Sequence, residues 1–324
     1  MARLGTAWRA WIDLTTDKEH PRVLAAVRVL VGLLVLGTLL HAALDGVVST
    51  LWIDRDHGGV VELGPGPWLI RLLGGLKPTV VWGVFTVACL SAVLVTIGAG
   101  GRAPYFIGAH TYFTLTRING NTSAGYDVLF ANALFLLLLA GASRTASVDC
   151  RIRTGKWTTD EPIFAWPRRL MIFQLVVMYA TTGIQKGSPV WNPLGGYTAL
   201  YYVLQDPNWR RFDLAWVGGY MPLVRVATAV TWHWELAAPL LLVWYWAKAT
   251  SERGGRLRRI VTRFDWRKVF AYIGVGLHLG IFLAMDVGPF SLLTLTYYLA
   301  FLTPDEMRGL LDRIARQPTK PSSA

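Results

Sequence analysis

Between Gln174 and Trp191 the chain reads QLVVMYATTGIQKGSPVW, an apolar run that carries an amide, a phenol and an ammonium. Tyr179, Gly183 and Lys186 stand at i, i+4 and i+7, which puts them on one face of a helix. Gln174 lies on the same helix but off that stripe, so it must meet a different neighbour or depth. Polar groups along an apolar span are expensive in lipid, and the stripe should face a protein interior or a wet cavity. A partly desolvated lysine at the end of such a helix has its pKa drawn down and can act as a general base near neutral pH. The competing reading makes Lys186 an anchor that snorkels from the helix end to the headgroups.

Other reactive residue types are sparse. Arg28 sits in RVLAAVRVLVGLLVL, about 8 Å inside its span by the helical rise per residue. Glu235, in TWHWELAAPL, enters from the opposite side to a comparable depth. Two charges at one depth are expected to form a structural ion pair, with a proton-carrying Glu235 as the alternative. The six histidines include none paired at i+3 or i+4, so no metal site is expected. His233 and His278 fall near mid-span, where an imidazole usually bonds a carbonyl or a neighbouring helix. Cys89 and Cys150 form no redox or metal spacing. No nucleophile elbow, phosphate loop or dinucleotide fingerprint is present.

The elements that must hold these residues are membrane spans. With 53% hydrophobic and 16% charged residues and a mean hydropathy of +0.39, the chain departs from soluble composition. The expected fold is all-α, a polytopic transmembrane helix bundle with spans near 23–44, 79–98, 104–116, 126–141, 167–185, 220–246, 268–286 and 289–303. Counting the short run 104–116 as a crossing puts most of the 32 Lys and Arg on one side, so eight spans with both termini cytoplasmic are expected. The net charge of +12 is therefore read as topology, and nucleic acid is not an expected partner. Residues 1–22 lack an apolar core for a signal peptide and form a cytoplasmic segment. Residues 23–306 form the transmembrane domain, and 307–324 a cytoplasmic tail whose end, PTKPSSA, should be disordered. Segment 45–77 is an outside loop with a short helix near Trp68–Leu73. The outside loop 187–219 is rich in Trp and Tyr, either an aromatic belt or a lid. The cluster around Arg256, Arg258 and Arg259 should meet anionic lipid of the bilayer.

Gln174, Tyr179, Gly183, Lys186 and Trp191, in that order and spacing, resemble the lysine helix of the HTTM family, the membrane domain shared by vitamin K-dependent γ-glutamyl carboxylases and many bacterial proteins. Arg28, Ser147-Val148-Asp149, Glu235, His278, Gly288, Phe290 and Pro304 extend the resemblance from about residue 20 to residue 306. It implies a site for a quinol of the vitamin K or menaquinone type on the outer side of the cell membrane. There Lys186 would be the base, and Tyr179, Gly183, Gln174, His278 and Trp191 would surround the cofactor. The chain differs from the carboxylases at Thr122, Thr228 and Ile281, where they carry histidine, histidine and asparagine. No counterpart of their large non-cytoplasmic domain follows the last expected span, which points away from peptide γ-carboxylation. The family also implies a non-enzymatic alternative, a membrane partner in the maturation of, or immunity to, a secreted peptide. A transporter would need an inverted repeat or paired broken spans, and neither is read here.

Overall fold

The computed structural model describes residues 12–13 and 15–315. The tail PTKPSSA and most of the first 22 residues lie outside the described residues. Fifteen α-helices and one two-stranded antiparallel pair, β1 (Lys18–Glu19) with β2 (Ile163–Phe164), make up the regular structure among them. The expected all-helical class holds. Chain contacts divide it into two compact units, Met1–Arg169 with Leu302–Ala324, and Leu170–Phe301.

In the first unit four long helices close a bundle: α1 (Arg22–Leu44), α4 (Pro78–Ile97), α5 (Ala103–Thr116) and α6 (Gly125–Ala140), each packed on the next and α6 back on α1. The short α2 (Val47–Leu51) and α3 (Trp68–Leu72) lie in the loop between α1 and α4. Gly32 lets α1 and α4 approach closely, since a Cβ there would stand 2.8 Å from the Thr96 nitrogen. Small residues at such crossings matter when both the core and the surroundings are apolar and packing alone must hold the helices. The outer faces expose Leu33, Leu90, Phe106 and Phe135, a surface that lipid tolerates and water penalises. The loop after α1 is organised by Asp54, whose carboxylate accepts the N–H groups of Asp56 (3.0 Å) and Leu63 (2.8 Å). After α6 come α7 (Val148–Thr154) and the start of α8 (Trp166–Gln185), and the unit ends with α15 (Pro304–Ala315).

The second unit holds the rest of α8, α9 (Ala199–Gln205), α10 (Met221–Ala237), α11 (Leu240–Ala249), α12 (Arg256–Thr262), α13 (Trp266–Ala284) and α14 (Phe290–Tyr298). The expected single span at 220–246 is broken. The axis bends by 47° between Ala237 and Leu240, where Pro239 removes an N–H donor and crowds the preceding turn. Arg267 is buried, with Nη1 donating to the Phe301 carbonyl at 2.6 Å and Nη2 to Asp265.

Among the described residues, three helical stretches are long and apolar enough to cross a membrane, Arg22–Leu44, Pro78–Ile97 and Arg256–Ala284, with a fourth if the bent pair counts as one span. Gly125–Ala140 and Phe290–Phe301 are apolar but shorter.

Candidate functional site

Lys186 follows the last turn of α8, and its Nζ pairs with the Glu235 carboxylate on α10. Both side chains are largely removed from solvent, at 16% and 7% exposure, which makes the pair a strong constraint on the two helices. The Trp191 ring lies 4.8 Å from the same ammonium, a cation–π contact. Gly183 explains how the carboxylate reaches the lysine. A Cβ at this position would stand 3.0 Å from the Glu235 Cβ and 3.1 Å from the Leu236 nitrogen, so any larger residue would push α8 and α10 apart by a few tenths of an ångström. The indole of Trp232 donates to the Gly183 carbonyl at 3.2 Å and fastens the same crossing.

One turn earlier on the stripe, Tyr179 is buried and its hydroxyl bonds both His278 Nε2 on α13 and the Tyr298 hydroxyl on α14, each at 2.7 Å. Tyr298 was not singled out in the sequence, where it is one tyrosine of a TYY run ending an apolar segment. Gly274 clears its place: a Cβ there would strike the Tyr298 hydroxyl and lie 2.7 Å from Trp234 Cζ2. Trp234 stacks on Phe270 with ring centroids 4.4 Å apart, and Tyr179 packs against both rings at 4.5 and 5.9 Å. His278 Nδ1, within this network, and Ser291 Oγ on α14 are buried without a hydrogen-bond partner among the described residues.

On the far side of Trp234 and Phe270 opens an apolar cavity of about 520 Å3, lined also by His233, Trp244, Trp266 and Ile273. Its size suits a lipid-soluble ligand. Lys186 does not line it.

Gln174 is half-buried, and its Oε1 has no partner. The expected Arg28–Glu235 pair is not formed. Glu235 is taken by Lys186, whereas Arg28, buried in the first unit, donates through Nη2 to the Ala146 carbonyl. Depth arithmetic could not anticipate this, because the lysine one residue beyond a helix end reaches back to a carboxylate that the arginine does not contact. His233 bonds the Ala229 carbonyl of its own helix at 2.8 Å. No three His, Cys, Asp or Glu side chains converge among the described residues to hold a metal ion.

The Ser147-Val148-Asp149 run has a structural explanation. Ser147 caps α7, its Oγ accepting the Cys150 N–H at 2.9 Å, and Asp149 accepts the Gly100 and Gly101 N–H groups at 3.0 and 2.8 Å. The resemblance carried by these residues is matched by the family model of the HTTM domain, which covers residues 17–249. The chain belongs to the HTTM family. Within the HTTM match lie Lys186, Glu235, Tyr179 and Gly183, while His278 and Tyr298 come from helices beyond its end. No curated protein and no solved structure matches the chain.

Proposed function

We propose that this HTTM-domain protein is a multi-pass protein of the cell membrane, with eight spans and both ends cytoplasmic, whose second unit holds an outward-facing site for a lipid-soluble quinol. Its membrane domain runs over residues 23–306, and Lys186 is the base. The observation that carries the reading is the Lys186–Glu235 pair, set against a buried network of Tyr179, His278 and Tyr298 with an apolar cavity behind Trp234. In the pair, the ammonium can pass a proton to the carboxylate and leave a neutral amine beside a neutral acid. That amine then accepts the proton of a ligand hydroxyl, leaving the ligand anion opposite a restored ammonium. The cavity takes the apolar body of the ligand, and Trp234, which lines it, is next in the chain to Glu235.

A second reading is favoured by one observation. Lys186 is fully compensated by Glu235 and Trp191, as a purely structural pair would be, and the protein is then a non-enzymatic membrane partner for a secreted peptide. Mass spectrometry of molecules that co-purify in mild detergent separates the two. The quinol reading expects a quinone-class molecule bound to the parent and depleted in Trp234→Ala. It also expects Lys186→Arg to keep that molecule while losing the absorbance of its deprotonated form, since a guanidinium stays protonated. Absence of any quinone-class molecule, with Lys186→Arg folding like the parent, puts the partner reading first.

A further inference from the structure

The first unit contains another cavity, a polar one of about 190 Å3, lined by Arg102, Tyr105, Ser143, Arg144, Asp149 and Arg153 among others. Its floor is the Tyr105 hydroxyl hydrogen-bonded to Ser143 Oγ at 2.7 Å. Its lining carries three guanidinium groups and one carboxylate. Asp149 contributes the one carboxylate of the lining, and both its oxygens are engaged by the Gly100 and Gly101 N–H groups. Arg144 and Arg153 share Glu161, and Arg153 also donates to the Arg144 carbonyl. A guanidinium has five N–H donors, so each keeps several for another acceptor. Arg102 has no ion pair or side-chain hydrogen bond among the described residues, and it opens α5, whose first-turn N–H groups favour an anion.

Behind this floor stands Arg28, only 1% exposed, with Nε and Nη1 lacking partners among the described residues. A buried cation with unmet donors is costly unless an anion compensates it. The backbone is shaped around it. Gly98 ends α4 at φ +66°, and a Cβ there would meet the Arg28 guanidinium and lie 2.5 Å from Ser147 Cβ.

We propose that this cavity is a binding site for a phosphate group, held by Arg102, Arg144 and Arg153 over the Tyr105–Ser143 floor. Phosphate suits forked guanidinium donors, and the cavity has room for it together with part of an attached alcohol.

The test uses the full chain purified in mild detergent and titrated with dioctanoyl phosphatidic acid, dioctanoyl phosphatidylcholine and inorganic phosphate, with binding read by native mass spectrometry. Phosphatidic acid is expected to bind in preference to phosphatidylcholine. Arg102→Gln, which breaks no observed contact and should fold, is expected to weaken it about tenfold, the worth of one charge-assisted pair. Arg256→Gln, in the exposed basic segment of the second unit, should leave it unchanged. Competition by inorganic phosphate identifies the free anion as sufficient. Its failure to compete, with phosphatidic acid still bound and sensitive to Arg102, identifies a lipid headgroup. The proposal is overturned if neither phosphatidic acid nor inorganic phosphate binds, or if Arg102→Gln and Arg256→Gln weaken binding equally, which is what diffuse surface charge would give.

Discussion

Glu235 and Lys186 neutralise each other in an apolar setting, so removing one should be worse than removing both. Glu235→Gln leaves an ammonium without its carboxylate and is expected to destabilise the protein by about 3–5 kcal/mol. Replacing Lys186 by Met and Glu235 by Leu together should recover most of that loss, because neither charge remains to be desolvated. Thermal unfolding of the three variants in one detergent decides this, and equal melting of Glu235→Gln and the parent would remove the pair from any account of the fold. Gly274→Ala should cost about 1–3 kcal/mol, with Tyr298→Phe giving little relief, since the added Cβ also meets Trp234. Lys186, Tyr179 and Gly183 were singled out in the sequence by their spacing along one helix face, and His278 by the family resemblance. Tyr298, Trp234 and Gly274 were not, because an aromatic or a glycine in such a run is commonplace until the facing helix is known. Glu235 was noticed as a carboxylate in an apolar run, and its pairing with Lys186 was not foreseen.

Helix boundaries could be read closely because the apolar runs end where Gly, Pro and charge begin: the helices in the expected 23–44 and 126–141 are Arg22–Leu44 and Gly125–Ala140. The bend at Pro239 was missed although the proline was visible, since hydropathy alone treats 220–246 as one run. Pro239→Ala restores the missing donor and should straighten α10 onto α11. Spin labels at residues 226 and 246 would report this as a longer distance, and an unchanged distance would assign the bend to packing rather than to the proline. The loop after α1 offers a different handle. The Asp56 and Leu63 N–H groups, Asp56 first, hold the Asp54 carboxyl below the usual carboxylate range. A depressed folded value means that the stabilisation is present above the unfolded pKa and is lost as pH falls through the folded one. Hydrogen exchange in residues 54–63 should therefore be slow at neutral pH and, after correction for intrinsic rates, lose protection below the ordinary aspartate range. In Asp54→Ala the protection should be lost at every pH.

At the scale of the whole molecule, the arrangement across the membrane turns on α5. Its 14 residues span about 21 Å at the helical rise, short of a hydrocarbon core of about 30 Å. Length alone therefore argues against a crossing, and charge argues for one. If α5 crosses, Arg144, Arg151, Arg153 and Lys156 fall on the cytoplasmic side with Arg102. If it turns back, they lie outside, against the rule that short cytoplasmic loops hold the positive charge. Charge should win, because a short helix can be accommodated by local thinning at fractions of a kcal/mol per Å. In a variant with Cys89 and Cys150 replaced, single cysteines at Val60 and Leu194, both exposed, are expected to react with a membrane-impermeant maleimide in intact cells. One at Lys156 should react only after lysis. If the Leu194 position is shielded while those at Val60 and Lys156 are labelled, α5 turns back, Lys186 faces the cytoplasm, and an outward-facing quinol site is lost with it.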